Sequence, residues 1–409
     1  MDKNFIKSSI IVCIGNVINR MLGMVFFIIL ARMYTPEDYG FIRYVIAIAT
    51  TSVAVASSGY PSALTRFLGK YGKNKEARYL YFSNTIVAVS ILLFSTIFVL
   101  FIIGKLNIDI FLVIVGSTIL AMYSGLVRGL HLYNRLAVFN ITTNITKILL
   151  ILLVFYITEY AHPFFILAIF AFSCLIPIVL LELVKSMQIK FKKSLISKIT
   201  MKNLTKFAVP VIIMSLAYNI ISSFDIIYIE YYIGTTDVGV YSVAKTLIQV
   251  FLFVPTAINI VLMPTVAGFE KKQKIVSYTK LSLILTALMS SGLLILLYFT
   301  GALLIETLFT SKYLGALNSL YVLSLGMAFF SIYSVIDTTW TGIGKPSLPT
   351  SIMVITAIIN IITNIYFVPR LGIFGAGIAF MISYLVALII ISIITLKRMH
   401  AKINIFSIV

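Results

Sequence analysis

Runs of about 20 apolar residues recur along the whole chain. Each is long enough, at about 1.5 Å per helical residue, to cross a hydrocarbon core of about 30 Å. Twelve such spans can be drawn, at about 8–33, 38–62, 80–104, 109–128, 137–158, 163–184, 207–232, 239–265, 279–301, 316–340, 349–368 and 374–396. No water is available to a bare amide in lipid, so each run must satisfy its own backbone as a helix. With 60% hydrophobic and 11% charged residues among 409, there is too little polar surface to close a soluble globule. The first run is too long for a signal peptide and has no small-residue cleavage site. The expectation is an all-α polytopic membrane protein of about 12 transmembrane helices.

The formal charge of +19 could indicate nucleic-acid binding, but its placement argues against that. Twenty-four lysines and arginines, Lys7, Lys73 and Lys271 among them, fall at the amino end and on alternate loops, and four fall on the loops between. The four are Arg32, Lys105, Lys312 and Arg370, in company with Glu37, Asp38, Asp109, Glu159, Glu230, Asp237 and Glu306. Basic loops stay on the cytoplasmic side, which puts both termini there in a multi-pass protein of the cell's inner membrane.

The two halves repeat a plan. Sliding the sequence by 199 positions puts Asp237 on Asp38, Gly239 on Gly40 and Lys206 on Lys7. The basic link from about Lys185 to Lys206 separates six spans from six, giving a bundle at 1–195 and another at 196–409. An even number of spans gives both the same orientation, as in parallel repeats about an axis along the membrane normal. Between the first two spans, Thr35 can cap a helix that opens with Pro36, and Glu37 and Asp38 place negative charge at its positive end. Gly234 and Asp237 repeat the device, whose role is structural.

Arg20, Arg43, Lys147 and Lys245 lie inside spans. An ionised side chain in hydrocarbon costs about 3 kcal/mol or more, so these four are candidates to face a wet interior and bind an anionic substrate. Arg20 is roughly 18 Å and Lys147 roughly 15 Å into its helix at the helical rise, near mid-membrane. Arg43 and Lys245 are a turn or two from the boundary, where a long side chain can instead snorkel to water. Asn16 and Asn19 share the helix of Arg20, and Asn140 and Asn144 precede Lys147; such residues bind substrate or hydrogen-bond between helices. Tyr218, Ser222 and Asp225 share a helix face, and Asp225 can take Na⁺, take a proton or pair with a lysine of the other half. Asp337 precedes the single tryptophan, Trp340, which suggests interfacial anchoring.

Catalytic chemistry is missing. GIGKPS, from Gly342 to Ser347, resembles a phosphate-binding loop but has Thr339 and Pro346 where a glycine and a hydroxyl residue belong. His131, His162 and His400 have no metal-ligand spacing. Cys13 and Cys174 both sit in apolar runs as small core residues. No cofactor, no metal and no enzymatic activity are expected, and no loop is long enough for a catalytic domain.

Four strings carry a family resemblance. LARMYTPEDYGFIRYV from Leu30, GLVRGLHLYNR from Gly125, DIIYIEYYIGTTDVGVYSVAKTL from Asp225 and NIYFVPRLGIFGAGIAFMISY from Asn364 stand in order along the chain. Together they resemble the Wzx-type polysaccharide-biosynthesis flippases of the multidrug/oligosaccharidyl-lipid/polysaccharide exporter superfamily. The hairpin match rests on Arg32, Asp38 and Gly40, the span-four match on Arg128 and Gly129, and the seventh-helix match on Asp225. Met33, Tyr34 and Thr35 replace the usual Leu-Gly of the hairpin. The resemblance implies a MATE-like pair of six-helix bundles related by pseudo-two-fold symmetry. Its implied work is to turn a polyprenyl-(pyro)phosphate-linked oligosaccharide to the outer leaflet by alternating access. The implied partners are the lipid-linked oligosaccharide, glycan-assembly proteins of the same pathway and Na⁺ or H⁺, with no nucleic acid. A cation-coupled drug antiporter would favour buried carboxylates over buried cations, and a membrane glycan polymerase or ligase would need a large outer loop.

Overall fold

The computed structural model describes residues 3–72, 74–158, 160–184, 187, 189–268 and 272–400; side chains before 15 and those at 264, 272, 399 and 400 lie outside it, so those of Lys7, Cys13 and His400 do, as do Lys73, Glu159, Lys185 and Lys271. Among the described residues there is helix and no strand. In chain order the helices are α1 Lys3–Met33, α2 Pro36–Ser57, α3 Gly59–Tyr71, α4 Lys75–Ile102, α5 Ile108–Gly129, α6 Tyr133–Ile157, α7 Pro163–Phe172, α8 Leu175–Val184, α9 Lys198–Tyr232, α10 Thr235–Leu247, α11 Phe253–Ala267, α12 Lys272–Phe309, α13 Leu317–Gly342 and α14 Ser347–His400. Short 3₁₀ turns connect α8 to α9, α10 to α11 and α12 to α13. The chain is a multi-pass membrane protein, with eleven helical segments long and apolar enough to cross a bilayer among the described residues.

The longest of these, α14, is two spans. Gly372 breaks its helical backbone with φ 61° and ψ −142°. Asn360 Nδ2 donates to Ser383 Oγ at 3.2 Å across 23 positions, which in one straight helix would stand about 34 Å apart. The arms therefore fold back on each other at Gly372, and the spans expected at 349–368 and 374–396 are those arms. The φ/ψ of Gly372 is essentially closed to residues with a Cβ, so Gly372→Ala should cost about 1–3 kcal/mol, read as a lower thermal unfolding midpoint in detergent.

Helix boundaries depart from expectation where an apolar stripe outlasts the hydrophobic run. Arg66 and Lys70 lie on α3 instead of in a loop, because buried Tyr60, Ala63, Leu64 and Leu68 keep helical spacing to its end. Likewise α9 starts at Lys198 rather than near 207.

Cα packing divides the chain into two compact units, Met1–Phe27 with Phe41–Asn219 and Ile28–Gly40 with Ile220–Val409. These differ from the expected 1–195 and 196–409, and tight packing gives the reason. In the first unit a Cβ on Gly59 would stand 2.4 Å from Ala208 O, Tyr60 Oη is 2.9 Å from Thr205 Oγ1, and Leu204 and Ala208 share a core with Tyr60, Ala63, Ala88 and Val89. The first part of α9 is thereby fixed to α3 and α4. In the second unit the α1–α2 turn packs on α10: a Cβ on Gly40 would lie 1.9 Å from Thr235 O, and one on Gly239 would lie 2.0 Å from Pro36 O.

Candidate functional site

The first unit holds three of the cations placed inside spans, Arg20, Arg43 and Lys147. Asn144 of α6 donates to Asn19 Oδ1 of α1, and Gly15 lets the helices approach, since a Cβ there would be 3.1 Å from that of Ala137. This contact sets Arg20, next to Asn19, and Lys147, one turn beyond Asn144, on joined helices. Asn16 is exposed. Lys147 is 8% exposed, with its ammonium 4.3 Å from the centroid of Phe170 and 6.0 Å from that of Phe26. Arg43 is equally buried, its guanidinium 4.2 Å from the Phe27 centroid, so it does not take the snorkelling role open to it in the sequence. One Arg20 nitrogen, Nη1, is buried with no hydrogen-bond partner.

Among the described residues no carboxylate stands within ion-pair distance of Arg20, Arg43 or Lys147. A ring face returns about 0.5–2 kcal/mol to a cation, whereas removing that cation from water costs several. The rings position Lys147 and Arg43 but leave their charge uncompensated, as a site for an anion would require.

The second unit is arranged differently. Lys245 of α10 donates to Asp225 Oδ1 at 2.8 Å and Oδ2 at 2.7 Å, and also to Ser222 O. Tyr241, one turn before Lys245, donates its hydroxyl to Asp225 Oδ2 at 2.7 Å, and the Ile226 amide donates to Oδ1 at 2.8 Å. Asp225 is 0% exposed. Lys245 is neither a free cation nor a snorkelling one, and the lysine that serves Asp225 comes from the adjacent helix of the same unit instead of from the other half. A buried carboxylate draws in the nearest lysine because an unpaired one would be prohibitively costly.

Several other sequence-selected residues make capping and packing contacts. Thr35 Oγ1 accepts from the Asp38 amide at 3.1 Å and donates to Asp38 Oδ2 at 2.9 Å, the expected cap. At the second turn the expected device is only partly repeated: Gly234 takes the cap position with φ 138° and no side-chain bond. Arg32 donates to Thr307 O at 3.3 Å. Gly129 brings α5 against α3, where a Cβ would meet that of Leu68 at 2.8 Å, while Arg128 beside it is exposed. Cys174 is buried. Trp340 is packed inside the protein and not turned outward as an anchor would be: it is 2% exposed, its indole N–H donates to Thr395 Oγ1 at 2.8 Å, and Asp337 accepts from Thr341.

Sequence reasoning passed over Phe26, Phe170 and Tyr241. Tyr241 carried a signal, four residues before Lys245 on the same helix face, whereas the two phenylalanines sit on helices far apart in sequence.

Comparison with known proteins agrees with this architecture. The family profile described as polysaccharide biosynthesis protein matches residues 5–270, and the MatE profile matches 210–366. The capsular polysaccharide biosynthesis protein CapF of Staphylococcus aureus is 22% identical over 390 residues, covering 92% of this chain and 95% of its own. Among solved structures, an inward-facing multidrug resistance MATE transporter of the MOP superfamily superposes with a TM-score of 0.75 at 13% identity, over 93% of this chain and 94% of its own. The lipid II flippase MurJ, in an inward closed conformation, gives 0.70 at 17% identity, over 95% and 87%. With the helical fold and the family match in agreement, this chain belongs to the polysaccharide biosynthesis protein family, on the fold of the MATE and MurJ transporters.

Proposed function

We propose that this polysaccharide-family membrane protein is a flippase that carries a polyprenyl-(pyro)phosphate-linked oligosaccharide to the outer leaflet, with Arg20, Arg43 and Lys147 of the first unit neutralising its anionic head group. The carrying observation is that these three intramembrane cations have no carboxylate partner among the described residues. A phosphate or pyrophosphate moved through low-dielectric space needs such compensation, and a charge-assisted bond to Lys or Arg is the strong form of it. The family match, the capsular-polysaccharide relative and the flippase among the solved structures point the same way. The substrate enters from the cytoplasmic leaflet, where both termini lie by the placement of basic residues, and passes by alternating access. Glycosyltransferases that build the glycan supply it on that side, and assembly proteins consume it on the other. A drug antiporter is the second reading, supported by the MATE fold, but cationic drugs call for an open carboxylate and Asp225 is fully engaged.

The test is flipping in proteoliposomes, read as the fraction of a polyprenyl-pyrophosphate oligosaccharide exposed to an impermeant lectin. Lys147→Ala and Arg20→Ala should each slow exposure about tenfold or more, the equivalent of about 1.4 kcal/mol, while remaining folded and inserted. Unchanged rates in both variants would remove the proposed anion site.

A further inference from the structure

The buried acid of the second unit is already served. An ionised carboxylate offers about four acceptor positions, and Asp225 fills four: Lys245 on each oxygen, Tyr241 on Oδ2 and the Ile226 amide on Oδ1. The ammonium is bound in turn by a third oxygen, the carbonyl of Ser222, and lies 5.8 Å and 5.5 Å from the ring centroids of Tyr241 and Phe380. Carboxylate oxygens, a main-chain carbonyl and aromatic faces are a coordination shell that a diffusible monovalent cation would use. Here a covalently attached one sits in it. No group of three or more His, Cys, Asp or Glu side chains that could hold a metal ion occurs among the described residues.

We propose that Lys245 is a tethered cation that permanently fills the Asp225 site, so that the second unit takes up neither Na⁺ nor H⁺ there during transport. Tyr241 and Lys245 lie four residues apart on α10, so one helix face delivers both the plug and the hydroxyl that fixes the carboxylate's orientation. Taking away the ammonium while leaving Asp225 would uncover an anionic, oxygen-lined vacancy that demands a counter-ion. The engineered chain should then bind one from solution.

The test is thermal unfolding of the purified full chain in NaCl against choline chloride at equal ionic strength. The native protein should show the same midpoint in both salts. Lys245→Ala should acquire a saturable Na⁺-dependent rise, the folded-to-unfolded ratio growing about elevenfold at ten times the dissociation constant. The double variant Asp225→Asn with Lys245→Met should show none. Should Lys245→Ala fold only when Na⁺ is present, that rescue is the same result. A saturable Na⁺ response in the native protein that Asp225→Asn removes would overturn the proposal. So would Lys245→Ala behaving identically in the two salts, whether folded in both or in neither. None of these outcomes bears on the first unit's cations, which the flipping assay tests separately.

Discussion

Alanine in place of Gly40 should dislodge the α1–α2 turn from α10 and reduce flipping in proteoliposomes by an order of magnitude or more. The added Cβ would stand 1.9 Å from Thr235 O and 2.8 Å from the Gly239 amide nitrogen, and both obstacles are main chain, which cannot swing aside as a side chain does. Relief requires the turn to withdraw by more than 1 Å, and van der Waals packing falls away over that distance. What hangs on the turn goes with it: Lys312 Nζ donates to Tyr34 O, Arg32 to Thr307 O, and the Tyr39 and Tyr313 rings meet edge to face at 6.0 Å. The stability loss should exceed the about 1–3 kcal/mol of ordinary overpacking. Gly239→Ala should do the same from the other side, meeting Pro36 O at 2.0 Å, and the double variant should cost less than the sum because both break one contact. Gly23→Ala and Gly292→Ala are the controls. Nothing lies within 4 Å of a Cβ at either, so these helical positions should be neutral or gain up to about 1 kcal/mol. If Gly40→Ala behaved like Gly23→Ala, the close contact would not be a constraint on this protein.

Removing Asp225 should also destabilise the second unit strongly. Asp225→Ala strands the Lys245 ammonium, 8% exposed, and takes the acceptor from the Tyr241 hydroxyl. Breaking a buried pair from one side costs about 3–5 kcal/mol, because an uncompensated charge remains. Replacing both partners with Asn and Met should recover most of that loss, since the pair's net contribution is small compared with the penalty of orphaning one member. The pair of Arg135 and Glu182 in the first unit, at 2.6 Å, is a useful contrast. Glu182 is a third exposed, so solvent screens it and Glu182→Gln should cost no more than about 1 kcal/mol. Equilibrium unfolding in a mild detergent checks both, with the double-variant cycle as the decisive comparison. An Asp225→Ala protein as stable as the native one would mean that Lys245 finds water or another acceptor.

Much of this was legible in the residues. The spans follow from hydropathy because lipid leaves a backbone no other way to satisfy its amides, and the turn at Thr35 follows from capping chemistry confined to four residues. The correspondence of Gly40 with Gly239 is visible as a register match, although only helix packing brings the two glycines together. The break within α14 was anticipated as a gap between two apolar runs, and Gly372 supplies its backbone reason. By contrast, the basic link suggests an end to the first bundle near 195, whereas packing of Leu204 and Ala208 against Tyr60 carries the first unit on to Asn219.

The fates of the intramembrane charges divide most sharply. Sequence alone established that Arg20, Arg43, Lys147, Lys245 and Asp225 are embedded in helices that must cross lipid, since hydropathy is local and additive along the chain. Tertiary structure alone decided that Lys245 is spent on Asp225 while Lys147 and Arg43 face aromatic rings with no acid at ion-pair distance among the described residues. Charge compensation is a pairwise property set by distances of a few ångströms between separate helices, and those distances are fixed only once the helices have packed.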